Sequence, residues 1–361
     1  MSWAGSSTPE STWTSGFTRF DRSTIDWAAS VRSAVILAIP VLVAVGTGFV
    51  HTGVFVALGC FNVLLLQFAG TASDRVRRSA WGLGLNAVAV GLGTLVGTLG
   101  PLEIPLIAAG LVLAFLVERI ARSGALLLTV SALFVMGVGF PGASVPEAAS
   151  RVVLVLLGGA LAVAGLALHL ALLRRLAPSA AASRSSAPAA SAVPGTTMVV
   201  GSGWAHAVAL GVVAAAGFAL ALEAGLARDY WVMLTVVVVL RPQFGQTLKA
   251  GAARMVGTVL GAAIAVVLTT GLSEPPLQGA LIVASVFVAF LLISANYTLY
   301  TVAITVFVIL LINLAYPGGL FLAETRVLDT VLGGALAMLA AAILWSLQAR
   351  RPHPEGTTSA G

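Results

Sequence analysis

Residues 152–173 read VVLVLLGGALAVAGLALHLALL, with His169 the one polar side chain, and an arginine pair, Arg174-Arg175, follows at once. A run of this length crosses roughly 30 Å of hydrocarbon as a helix rising 1.5 Å per residue. It lacks the apolar/polar alternation of an outer-membrane barrel strand. The block is a transmembrane helix closed by a basic anchor.

Similar blocks recur throughout the 361 residues, of which 59% are hydrophobic and 9% charged, with a mean hydropathy of +1.03. A soluble domain carries roughly 25% charge, so an aqueous fold is excluded and the fold class is an all-α membrane protein. Spans are expected near 33–50, 53–69, 80–99, 102–117, 124–140 and 152–173, then 204–225, 229–241, 252–270, 277–294, 297–315 and 327–347. That makes about twelve transmembrane helices. The net charge of +6 raises nucleic acid as a partner. The basic residues, however, cluster at the ends of apolar runs, where they encode membrane orientation. The lone Cys60 rules out a disulfide framework or a cysteine metal site. The first thirty residues hold no apolar signal core, so the first span is expected to direct insertion.

With the N-terminus inside, 16 of the 19 Lys and Arg residues fall in cytoplasmic segments, Arg241, Lys249 and Arg254 among them; Arg151, Arg228 and Arg326 fall outside. Omitting one span would invert every later loop, so the asymmetry supports an even number of spans and a cytoplasmic C-terminus. The organisation expected is an N-terminal cytoplasmic or interfacial segment (1–30), a first six-helix half (31–175), an Ala/Ser/Pro-rich linker (176–203), a second half (204–348) and a cytoplasmic tail (349–361). In the first segment Phe20, Trp27 and Val31 share a helical face, and Ser23 and Asp26 are spaced like a capping box. An interfacial helix and a disordered tail both accommodate that pattern.

The two halves share a repeat. Leu157-Gly158-Gly159-Ala160-Leu161-Ala162 recurs as Leu332-Gly333-Gly334-Ala335-Leu336-Ala337, and Arg151 matches Arg326 at the same offset. Six spans per half is even, so the repeats should be parallel, about an axis along the membrane normal. Gly93-Thr94-Leu95-Val96-Gly97 and Gly257-Thr258-Val259-Leu260-Gly261 resemble each other but sit at different ends of their helices. They read as separate close-packing faces.

The chemistry is expected around DYWVMLTVVVVLRPQFGQT, residues 229–247. Only about 16 Å of helix fits between Asp229 and Arg241, half the hydrocarbon depth, and Pro242 removes a backbone donor and disfavours helix just before it. An interrupted span points to a transport path, because unwound backbone at depth must line a cavity. A short tilted helix with Tyr230 and Trp231 in an aromatic belt is the structural alternative. Asn62 and Gln67, with Gly70 behind them, make the second span similarly polar. Arg151 and Arg326 open the last helix of each half near the outer face, with Asp329 one turn after Arg326. As a pair they could meet an anion; as an i,i+3 pair Arg326 and Asp329 could be structural. Glu223 ends the seventh span. No histidine pair has metal-ligand spacing, and no nucleotide loop or nucleophile signature occurs. Neither a cofactor nor enzymatic activity is expected.

Tyr230-Trp231, Thr235, Arg241-Pro242, Gly245, Thr247, Arg254, Gly257-Thr258 and Gly261 together resemble the signature of the fusaric acid resistance protein-like (FUSC) family, within the aromatic acid exporter superfamily. The first half lacks the Tyr-Trp and Arg-Pro elements. The resemblance implies proton-driven export of small, often aromatic organic acids across the inner membrane. The site expected on that basis has Arg326, Arg151, Tyr230, Thr235, Asn62 and Arg241 for substrate, with Asp329 or Glu223 for the coupling proton. The partners are a small organic anion, protons and the bilayer, with a second copy of the chain left open. Two other readings stand beside it: a passive organic-anion channel, and a scaffold without a path. A scaffold should bury Asn62, Arg241 and Asp329 in mutual pairs and enclose no cavity.

Overall fold

The structure, a computed structural model, describes residues 20–68, 72–121, 123–140, 142–176, 203–272 and 274–349. Gly70, most of the expected interfacial segment, nearly all of the linker and the tail lie outside them. Among the described residues there are twelve α-helices and no strand. They are α1 (Trp27–Thr47), α2 (Val50–Leu65), α3 (Ala72–Val96), α4 (Glu103–Ala121), α5 (Gly124–Gly139), α6 (Val145–Leu176), α7 (Trp204–Glu223), α8 (Tyr230–Val239), α9 (Phe244–Gly271), α10 (Pro275–Leu292), α11 (Tyr297–Ala315) and α12 (Gly319–Ala349). Ten are long and apolar enough to cross a membrane; α5 and α8 are apolar but shorter. This is an all-α membrane protein.

Four helices begin about two turns earlier than hydropathy suggests. α3 starts at 72 rather than 80, α6 at 145 rather than 152, α9 at 244 rather than 252, and α12 at 319 rather than 327. The added turns carry charged residues, which an apolar window rejects but a helix accepts readily. As a result Arg151, Arg254 and Arg326 lie inside helices, about 9–15 Å from their first residues. The capping-box expectation is also corrected. Asp26 is itself the N-cap of α1, accepting from the Ala29 amide at 2.9 Å, and Ser23 belongs to a separate 3-10 turn at Arg22–Thr24.

Packing within the first six helices joins α1 to α2 and α6, α2 to α6, α3 to α5 and α6, and α4 to α5. Every one of these pairings has a counterpart six helices later: α7 with α8 and α12, α8 with α12, α9 with α11 and α12, and α10 with α11. Contacts between the two sets are reciprocal too. α1 packs on α10 and α4 on α7, while α2 meets α11 and α5 meets α8. The core therefore lies where α2, α5, α8 and α11 converge.

Lipid tails give helices no hydrophobic reason to associate, so close backbone approach does that work. Gly158 lies under the Val56 carbonyl of α2, and Gly333, its match in the repeated hexamer, lies under the Val232 carbonyl of α8. A Cβ on Gly333 would stand 2.6 Å from that oxygen. The two Gly-Thr stretches act likewise, Gly93 against the Phe134 carbonyl and Gly257 against that of Thr298. Gly158→Val and Gly333→Val are expected to lower stability by about 1–3 kcal/mol or more through overpacking. Gly245→Ala, with open space around it, should change little. Thermal unfolding of the purified protein in detergent checks both.

Candidate functional site

The site starts from a break. α8 ends at Val239 after ten residues, about 15 Å of helix, and the chain continues through 240–243 outside any helix before α9 begins. Backbone outside a helix must find other partners when water is scarce. Thr247 supplies them: its hydroxyl accepts from the Arg241 amide at 2.9 Å and lies 3.1 Å from the Arg241 carbonyl. The Arg241 guanidinium folds back, Nη2 donating to the Val238 carbonyl at 2.6 Å. The last turn of α8 is thus closed by the arginine that follows it.

The break faces a partly open space of about 90 Å³ between the two sets of helices. One wall is apolar, from Leu58, Phe61 and Leu65 of α2 and Leu128, Ala132 and Met136 of α5, with Asn62 the polar exception. The other wall holds Trp231 and Leu234 of α8, Tyr297, Tyr300 and Phe307 of α11, and three guanidiniums, Arg241, Arg254 and Arg326. The volume suits about three waters at ~30 Å³ each and falls short of the roughly 300 Å³ of a typical ligand pocket.

Several polar atoms around this space are buried without a hydrogen bond: Nε and Nη1 of Arg326, Nε of Arg254, the Tyr297 hydroxyl and both carboxylate oxygens of Asp329. Arg326 is 2% exposed and Asp329 0%. The Arg326 guanidinium carbon rests 4.7 Å from the centroid of the Trp231 ring, a cation–π contact that holds it while leaving its donors open. Arg326 and Asp329, one turn apart, do not close an ion pair. Arg326 is within reach of the charges of both Arg254 and Asp329.

Toward the end bearing the N-termini of α2, α8 and α12, aromatic rings close the space. Phe55, Phe140, Tyr230, Trp231, Tyr316 and His51 form a continuous cluster with centroids 4.9–6.2 Å apart. Arg228 lies 5.8 Å from the Trp231 ring and 5.7 Å from that of Tyr316. Asp229 caps α8, accepting from the Tyr230 amide at 2.7 Å.

Of the residues expected from sequence, Asn62, Arg241 and Arg326 share the cavity wall. Asn62 also donates to the Leu58 carbonyl at 2.9 Å. Tyr230 belongs to the aromatic closure. Thr235 bonds the Trp231 carbonyl and packs against Gly333, on the side of α8 turned to α12. Glu223 is exposed at the end of α7. Gln67 is tied to α1, accepting from Arg32 and donating to Ser33 at 2.6 Å. Arg151 sits apart: it donates to Glu147 at 3.0 Å, to Thr94 and the Gly137 carbonyl at 3.3 Å, and stacks 5.0 Å from Phe55. Arg254, Tyr297 and Tyr300 were not expected. In sequence Arg254 reads as an orienting charge near the cytoplasmic end of the 252–270 block, although its spacing to Gly257 and Gly261 puts it on a packed helix face.

Residues 210–340 match the family described as fusaric acid resistance protein-like. A 140-residue stretch, 39% of the chain, is 31% identical to the "Inner membrane protein YccS" of Escherichia coli K12, covering 19% of that protein. Over the same length it is 27% identical to "Uncharacterized protein ORF2" of Neisseria gonorrhoeae (34% of it) and 30% identical to an uncharacterized protein of Haemophilus influenzae (20% of it). The chain thus spans about a third or less of the length of these relatives. No solved structure matches. All three cavity arginines and both tyrosines fall within the fusaric acid resistance protein-like segment, whereas the apolar α2 and α5 wall lies outside it.

The contrast between the matched arginines is testable. Arg151→Gln should cost about 2 kcal/mol or more, because it strips donors from a satisfied network. Arg326→Gln removes a buried charge that lacks hydrogen bonds on two donors, so its stability should equal or exceed that of the unaltered protein. Thermal unfolding of the two variants side by side decides it.

Proposed function

We propose that the chain is an inner-membrane secondary transporter exporting small, weakly acidic, aromatic organic compounds. Its architecture would be twelve crossings arranged as two parallel six-helix repeats with both termini cytoplasmic. The observation that carries this reading is the set of three buried guanidiniums around one aromatic-lined space. Charges held at membrane depth without full partners are costly. A carboxylate entering the space would meet open donors on Arg326 and Arg254 in charge-assisted bonds, while its ring would lie among Phe61, Phe307 and Tyr300. Neither Asn62, Arg241 nor Asp329 is engaged with another of the three, which favours a path over a scaffold. The space is too small for an aromatic acid as it stands, so loading requires the α2/α5 and α8/α11 walls to separate.

Asp329 is the group placed to exchange a coupling proton. It is buried beside Arg326 and Tyr230, and its protonation changes the net charge that an anion meets at Arg326. Trp231 and its aromatic neighbours close the path toward the outer face.

A deletion strain is expected to be sensitive to aromatic acids, more so at low external pH, and the gene should restore growth. In proteoliposomes, uphill export should collapse with an uncoupler; current that merely follows voltage would identify a channel instead. Arg326→Gln and Arg254→Gln should each lower export about tenfold or more, the loss of one charged hydrogen-bond set. Trp231→Ala should leak substrate without a gradient. Sensitivity to no acid in the panel, together with no flux in proteoliposomes, would favour the scaffold.

A further inference from the structure

A second feature lies far from the cavity, on the bilayer-facing side of α3. Arg77, Trp81 and Leu85 follow one another at four-residue spacing and so form a single ridge along the helix. A hollow flanks the ridge on each side. One, of about 450 Å³, runs between α3 and α4, with Val117 and Ile120 as its far wall and Arg78 at its head. The other is a shallow, open depression over Gly84, where the absence of a side chain leaves free space.

The vertical order of this surface is charge above and hydrocarbon below. Trp81 is 68% exposed and Ile120 86%, so large apolar groups face outward beneath two guanidiniums. Arg77 is also paired with Asp74 at 3.1 Å, but that pair is exposed and holds the arginine weakly. Arg75 adds a further positive charge on the same turn, leaving the cluster net basic. A soluble anion would gain nothing from the two apolar hollows, and a neutral lipid would gain nothing from the arginines.

We infer that this face binds one anionic diacyl glycerophospholipid, its phosphate on Arg77 and Arg78 and its two chains straddling Trp81. The geometry matches on three counts: headgroup charge, an interfacial indole, and paired grooves divided by a single ring. The site is independent of what the cavity carries.

Trp81 reports on its own occupant. The full chain is placed in phosphatidylcholine vesicles containing phosphatidylglycerol with brominated chains, which quench adjacent indoles. The Trp81 contribution is the difference between the unaltered protein and Trp81→Phe. Brominated phosphatidylglycerol should reach half-quenching at a mole fraction about tenfold lower than brominated phosphatidylcholine does. Arg77→Gln with Arg78→Gln should remove that preference, and so should high salt. Circular dichroism and gel filtration check that the double variant folds; should it fail, Arg77→Gln alone must still narrow the preference. Equal quenching by the two lipids, meaning ordinary annular contact, would overturn the proposal. So would a preference that survives the arginine substitutions.

Discussion

Hydrocarbon offers a peptide group no partner, and most of this structure follows from that constraint. Helix after helix satisfies it internally. The segment at 240–243 does not, and it is closed instead by the Thr247 hydroxyl and by Arg241 folding back on α8. Because these groups are satisfied locally, α8 can stop after ten residues. Its neighbour across the two sets of helices is α5, the other short helix. The shortage of helix length is therefore concentrated in the walls of one shared space.

The matched arginines show two physical solutions to one problem. Arg151 and Arg326 occupy equivalent places in the last helix of each set, and each rests on an aromatic ring from the second helix. Arg151 is enclosed by carbonyls, a threonine and a carboxylate. Around Arg326 those partners are missing, and Nε and Nη1 are buried without a hydrogen bond. A saturated guanidinium fixes helices in place. An unsaturated one, in a medium where charge is expensive, is a cost that the fold carries.

Glycine makes the rest possible. Helices that meet at Gly158 and Gly333 bring backbone onto backbone, so that large side chains can be spent on the aromatic closure and the cavity instead. The same economy explains why the repeated hexamer lies on the face of α6 and α12 turned to the second helix of each set.

The membrane class, the number of apolar blocks and the shortness of the span at 230–239 were legible in the sequence, because hydrocarbon selects length and apolarity residue by residue. The matched hexamers and arginines were legible too, since packing against a neighbouring backbone leaves a local mark. What sequence could not show was which charges are buried. Arg254 and Arg326 both look like charges near a span end, until the helices are seen to begin two turns earlier and pack around them. Nor could it distinguish Arg151 from Arg326, whose difference lies wholly in partners contributed by other helices. Apolarity and length are properties of a segment; the state of a buried charge belongs to its neighbours, and only the tertiary structure assigns those.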